Sequence, residues 1–534
     1  MGLAENATNL QMPEAMKIEI ERLRTTHELY KTYSPEWDLY LSSYEGGPDF
    51  VQEKNLFKHV RENLEDYKDR VARAHYINYI EPLVSFFTNF IFSETIDRNA
   101  GSNPDWYNDF IQDVNRKGDN IDDFMKQVSD DTQIFGMSYV LVDSPALPPG
   151  MRAEEISKAD EAELGLRPYW VLLKATEITD WVVDDFDNFD YLKRMQHQNE
   201  VIGGEILKIE KYTEWYRDHI QISRIDVTDS AKPKLLPAET IENTLGLIPI
   251  KLNRYKRSKR YPHMGNAFIR DFAYNNREIM NLTSLAQEFL YRQAFNILAY
   301  ESESSIPLAD QEDGVVGTAN AMSVPKGAQM PQYISPPVDP AKFIIEERQR
   351  IKQEMFSRAA QDTMNELFNG EGASGFSQAQ SFSKTVPFIS SRADNLERAE
   401  SALMKLTMAR LGMEWDGKIK YKDRYELTNL TDAITQLTML AKDLQMPSGT
   451  FVKEELKRIV HEYDGKIPPD IMVKVEKEID TMNFDSWLST QKQALIGQPK
   501  TSPAAQQKSK SSGTMAEAAA EAKVPGATKK VRGK

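Results

Sequence analysis

The residues best suited to chemistry are three acidic clusters: Asp122-Asp123, Asp130-Asp131, and Asp184-Asp185 with Asp187. Paired carboxylates can hold a divalent ion for phosphodiester cleavage. Nothing in the sequence supplies the accompanying base or a common scaffold, and adjacent aspartates more often end helices or turns. The seven histidines (27, 59, 75, 197, 219, 263 and 461) are scattered, with no pair at metal-ligand spacing. Cysteine is absent, which removes disulfides and thiolate metal sites. The glycine-rich stretch Asn369 to Gly375 lacks the Lys-Ser/Thr that closes a phosphate-binding loop. No G-x-S-x-G elbow is present. The chain therefore reads as non-catalytic, with no metal and no cofactor expected.

Binding chemistry is more visible. Lys251, Arg254, Lys256, Arg257, Lys259 and Arg260 place six cations in ten residues. Such a run is either a solvated or acid-paired surface, or a contact for DNA phosphates, where each neutralised phosphate releases counterions. The formal charge of -15 argues against a surface that grips DNA everywhere and favours a local contact. Residues 500–534 carry eight basic and two acidic side chains and few large apolar ones, the composition of a disordered tail with weak, non-specific attraction for anions.

The elements that must position these residues follow from periodicity. At 534 residues and 40% hydrophobic content, several structural units are expected. Residues 13–97 read as helices, with Leu56, Val60, Leu64 and Tyr67 at helical spacing, and Trp106 to Phe135 reads as another helical stretch. Tyr139 to Asp143 is expected to be a short buried strand, and 167–250 a small antiparallel sheet packed on the first helices. The longest apolar stretch, Pro82 to Phe92, falls well short of the ~20 residues of a membrane span. The N-terminus lacks the basic and apolar regions of a secretion signal.

Asn266 to Tyr300 contains no Pro or Gly and predicts a helix of roughly 50 Å. Its apolar positions include Phe272, Leu282, Leu285 and Phe289. Residues 301–338 read as an insert of turns and short strands. Asp339, followed by Pro340, caps a second helix carrying Ile344, Ile351 and Met355. A third helix is expected over about 379–411, bent or interrupted at Pro387. A helix apolar around so much of its circumference cannot stand alone in water. It needs the second helix and neighbouring copies, so cyclic association is expected.

The order of elements from 247 to 411 resembles the portal protein superfamily of tailed double-stranded-DNA viruses. Leu247-Ile248-Pro249-Ile250 is similar to the short strand before that family's stem, and Pro262 to Ile269 to its glycine-led approach to the first stem helix. Trp37 to Tyr40, Tyr44 to Gly47, Tyr79 to Pro82 and Gly136 to Asp143 resemble wing segments. The resemblance implies an α+β, mainly helical portal fold with wing, stem, clip and crown, assembling into a ring. It would place the wing at 1–255 (with a small β-sheet at about 136–250), the first stem helix at 256–302, the clip at 303–338 and the second stem helix at 339–362. The tunnel loop would lie at 363–378, a long wing helix at 379–426, the crown at 427–496 and a basic tail at 497–534.

The same resemblance puts Phe368, Asn369, Gly370, Glu371, Gly372 and Ser374 in a loop facing a DNA channel. It also implies a twelve-subunit homo-oligomer at the capsid portal vertex of a virion, assembled in the host cytoplasm. The expected partners are double-stranded DNA without sequence specificity, the terminase large subunit, major capsid and scaffolding proteins and a tail adaptor, but no membrane. Two other readings remain open: a phage DNA-processing nuclease using the Asp clusters, and a minor capsid structural protein sharing only the helical composition.

Overall fold

The computed structural model describes residues 14–145, 166–293, 298–302, 321–325, 339–359 and 384–422, parts of 453–460, and 469–481, apart from a few single positions. The chain divides into two compact units, 1–426 and 427–534. In the second unit, helix Pro469–Thr481 is the long described element; Lys457 pairs with its Asp480 at 2.7 Å.

The first unit begins with helices α1 (Glu14–Arg24), α2 (Glu28–Glu45), α3 (Leu64–Arg73) and α4 (Ile80–Phe92). Strand β1 (Asp97–Asn99), α5 (Pro104–Gln112), α6 (Ile121–Phe135) and β2 (Met137–Asp143) follow. Local chemistry explains the helix starts. Asn63 and Asn120 each accept from the backbone N–H three residues on, and the aspartate there accepts the asparagine amide in return. One orphan backbone donor is thus satisfied at each helix start, and the return bond from the asparagine side chain holds the cap in place. Two expectations need correction. The helical spacing of Leu56, Val60 and Leu64 is not a helix: 46–63 is a run of turns, and Val60 is 95% exposed. Gly46-Gly47-Pro48 stops α2, and Asn63 starts α3 afresh. The stretch from Trp106 to Phe135 is two helices, separated by a turn in which Arg116 and Gly118 adopt positive φ.

Strand β2 is the spine of the unit. It lies between β10 (Ile250–Arg254) and β3 (Tyr169–Leu173), antiparallel to both. Successive side chains point to opposite faces, and here each face has a core. Met137, Tyr139 and Leu141 join one with Trp37, Leu83 and Phe272. Val140 and Val142 join the other with Phe110, Phe124, Trp170 and Leu403. Burial on both sides is why the strand reads as a continuous apolar run.

A second sheet orders β4 (Ile178–Val183), β5 (Phe189–Ile202), β6 (Glu205–Tyr216), β7 (His219–Asp226) and β8 (Lys234–Leu235), with β9 (Glu239–Glu242) also paired to β7. The β5–β6 hairpin turns at Gly203-Gly204, both at positive φ as a tight two-residue turn requires. Helix α1 packs on this sheet through Ile20 and Leu23 against Tyr212 and Ile225, and Arg22 clasps Glu214 with two 2.8 Å bonds.

Helices α7 (Arg270–Gln293) and α8 (Asp339–Arg358) pack along one another, and α9 (Val386–Arg410) crosses the second core before β13 (Lys418–Lys420) pairs with β1. The rod predicted for 266–300 is shorter than expected. It starts at Arg270, and Leu298–Ser302 is instead a strand, β11, paired in parallel with β12 (Ala321–Pro325). Backbone pairing with a distant segment overrides the helical pattern there, as tertiary context commonly does. The described third helix starts at Val386, with Pro387 in its first turn, where the missing N–H costs nothing; the part expected at 379–383 lies outside the described residues. No described helix is long and apolar enough to cross a membrane.

Candidate functional site

The basic run begins in β10, whose register fixes what each cation can do. Ile250 and Leu252 are buried, and Lys251 between them is half-buried; all three line a cleft of about 650 Å3. Arg254, at the strand end, donates to His263 O at 3.1 Å and to both carboxylate oxygens of Asp187 at 3.3 and 3.1 Å. Arg257 bonds the same carboxylate, and the His263 ring approaches it at 3.3 Å. Asp187 sits in the β4–β5 turn at φ 65°. That turn is held by Asp184, whose Oδ1 accepts from the backbone N–H of Phe186 and of Asn188, each at 2.8 Å. Burial works against the Asp187 charge, but the Arg254 and Arg257 guanidiniums outweigh it and hold the carboxyl below its ordinary range.

The cleft takes three members of the run, Lys251, Arg254 and Arg257. Lys256, Lys259 and Arg260 are exposed and do not line it. Two further cations come from elsewhere: Arg217 from the β6–β7 turn, which pairs with Asp184 and Asp190, and Lys405 from α9. The sequence offered no signal for these two, because only the fold brings 217 and 405 beside 251. The half-buried Lys251 ammonium is pushed down in pKa by burial first and by Arg254 second, with Asp187 opposing.

The acidic clusters scatter to separate tasks. Asp122 pairs with Arg98 at 2.7 Å, and Asp123, in the first turn of α6, accepts from the side chain of the Asn120 cap at 2.9 Å. Asp130 accepts from Thr88 at 2.6 Å. Asp130 and Asp131 border a different cleft, of about 430 Å3, with Lys174 and Tyr44. Among the described residues no three His, Asp or Glu side chains gather as a metal-holding group. Burial raises Asp130 to about 6; burial and then the Asp130 charge raise Asp131 to about 7. A carboxyl raised above its unfolded value of 3.8 costs the fold nothing below that pH. The cost grows as pH rises to about 7 and is complete above it. Asp131→Asn is therefore expected to stabilise the protein by about 1–3 kcal/mol at pH 8 and by almost nothing at pH 4. Denaturant unfolding at the two pH values checks this; equal effects at both would contradict it.

The residues assigned to helix packing divide into three groups. Phe272, Ile351 and Met355 are buried within the single chain. Leu282, Phe289 and Ile344 are half-buried, and Leu285 is 42% exposed. Phe368, Asn369, Gly370, Glu371, Gly372 and Ser374 lie outside the described residues. One buried cation went unnoticed in the sequence. Arg392 of α9 lies 3.4 Å from the Phe87 ring centroid and 4.2 Å from that of Phe268, fully enclosed, and burial lowers it to about 10. An aromatic cage of this kind compensates the charge in part.

No family model matches the sequence, and no curated protein matches it. Among solved structures, the chain is similar to one from the virion of a native gene transfer agent particle, at 11% identity and a TM-score of 0.40, over 81% of this chain and 94% of that one. It is also similar to one from the neck of an empty gene transfer agent particle, at 11% identity and a TM-score of 0.35, over 72% of this chain and 89% of that one. Neither likeness is close enough to fix an architecture or a role.

Proposed function

We propose that the chain is a structural, non-enzymatic subunit of a phage-like particle head, and within that class a portal subunit. Copies would form a ring through which double-stranded DNA passes during packaging and ejection. The observation that carries this reading is the surface of the α7–α8 pair. Leu285, Leu290 and Tyr291 on α7 and Phe343 and Ile345 on α8 are all between 42% and 66% exposed in the single chain. Isolated exposed apolar residues are ordinary, but five within one helix pair leave more apolar surface uncovered than a single chain in water favours. The order of elements, with a strand pair β11–β12 between the two helices, agrees with the stem and clip that the sequence resemblance implies. A net charge of -15 suits a conduit, since a wall of like charge lets a polyanion slide without being held.

In this reading terminase, capsid and scaffolding proteins and a tail adaptor are the partners, and 368–374 is the loop facing the DNA. Electron micrographs of the purified chain should show rings with a central hole. Light scattering should give about 0.7 MDa, twelve copies of a 61.1 kDa chain. A monomer that cuts DNA with magnesium, and loses that activity on Asp131→Asn or Asp184→Asn, would replace this reading with a nuclease.

A further inference from the structure

We infer that the cleft between β10, the β4–β5 turn and α9 is a binding site for an organic phosphate, with the phosphate on Lys251, Lys405 and the adjoining guanidiniums. The inference does not depend on ring formation. Its first ground is charge. The cleft is lined by five cations (Arg217, Lys251, Arg254, Arg257 and Lys405) and two carboxylates, Asp184 and Asp187, in a chain whose sum is -15. A local excess of cations in an acidic protein concentrates anions at that one place.

The second ground is what these cations already do. Asp187 is shared by Arg254, Arg257 and the His263 ring, and Arg217 is divided between Asp184 and Asp190. Each guanidinium carries five N–H donors, so donors remain after these carboxylates are satisfied. Lys251 and Lys405 have no ion-pair partner among the described residues. Lys251 is moreover half-buried, where a charge without a counterion is costly. An ammonium kept there beside Arg254 is stabilised by an anion entering the cleft.

The third ground is size and polarity. About 650 Å3 is far more than one phosphate group fills and lies within the range of small-ligand pockets. Leu247, Ile248 and Leu406 form an apolar part of the wall, and Leu247 is 40% exposed. A ligand with an anionic head and an apolar or aromatic body matches both parts. A tetrahedral dianion accepts donors from several directions, which suits cations arriving from a strand, two turns and a helix.

Two sources share this chemistry, a free phosphomonoester and the 5′-phosphate end of a nucleic-acid strand. The test uses the full chain, titrated calorimetrically with phenyl phosphate and with phenol. Phenyl phosphate is expected to bind saturably and phenol not to bind. Lys251→Met and Lys405→Met are each expected to weaken phenyl phosphate about tenfold or more, since each removes a charge-assisted contact to the phosphate. Both replacements keep an unbranched side chain and remove its charge, and circular dichroism shows whether each variant is folded. Displacement of phenyl phosphate by a 5′-phosphorylated oligonucleotide, but not by its 5′-hydroxyl form, would assign the strand end. Failure of both to displace would assign the free phosphomonoester, and either result upholds the site. No saturable binding of phenyl phosphate, or equal affinity in the folded variants, overturns it. Light scattering on the same samples reports ring formation separately, so a failure here is distinct from a failure of the portal reading.

Discussion

Leu285→Asp is expected to yield a folded monomer under conditions in which the unaltered chain forms closed rings. Leu285 lies on α7 and is already 42% exposed in the single chain. A carboxylate there can reach water, and its cost to folding is confined to helix propensity, about 0.7 kcal/mol or less, and the part of the Leu285 side chain that the chain itself covers. In a ring whose subunits meet along this helix, the same carboxylate would be buried without a partner at every interface. That costs several kcal/mol per copy and is repeated around the ring. Folding and assembly are thus affected very differently by one substitution, which is what makes it informative. Circular dichroism should be unchanged while sedimentation velocity shifts from ring to monomer. Leu290→Asp, at 57% exposure, should behave alike. Met355→Ala is the contrasting case. Met355 is fully buried within the chain, so its truncation should cost about 2–5 kcal/mol of folding stability. Intact rings from both Asp variants would mean that α7 is not where subunits meet.

What could be read in the sequence was what depends on neighbours in the chain. The strand at 139–143 was legible because burial on both faces leaves an unbroken apolar run, and the strands at 178–183, 206–214 and 219–227 because turn residues bound them. What depends on distant partners was not. Leu298 to Tyr300 continues a helical pattern, yet it joins a strand because 321–325 offers backbone partners. Val60 and Leu64 have helical spacing from Leu56, yet Asn63 between them is a cap, and a cap decides where a helix begins.

The candidate site shows the same division. Six cations in ten residues announce a basic surface but not which of them act together. Strand β10 brings Lys251 to the cleft wall, Asp187 gathers Arg254 and Arg257, and the other three remain in solvent. Asp187 looked like a possible metal ligand in sequence. In the fold it is the anchor of two arginines, on a turn that demands a left-handed residue, a conformation aspartate tolerates better than most.

Gly265→Ala is expected to be among the most damaging single substitutions in the protein, although it adds one methyl group. A Cβ at 265 would lie far inside van der Waals contact with the carbonyl oxygen of Gly136, and a Cβ at 136 would meet Gly265 O and Ala267 N at 2.6 Å. Two backbones therefore cross here with no side chain between them. Gly136 also has φ 81° as it closes α6. The crossing is held by Tyr255 N–H donating to Gly136 O at 2.9 Å, Asn266 N–H to Lys256 O at 2.8 Å and Phe268 N–H to Gln133 O at 2.9 Å. These bonds tie the end of α6 to the lead-in of α7 and so set where α7 emerges from the core. Any methyl at 265 must force the strands apart and strain or break the Tyr255 bond. Loss of that bond would leave buried backbone groups unpaired. Gly265 does not have positive φ, so the penalty is purely steric. Gly47→Ala separates the two causes: φ there is 76°, and nothing lies within 4 Å of the added Cβ. That substitution should cost about 1 kcal/mol, whereas Gly265→Ala should cost about 4 kcal/mol, at the extreme of single-residue effects. Denaturant midpoints of the two variants decide the matter. Equal losses would mean that the crossing at 136 and 265 relaxes easily and does not fix the path into α7.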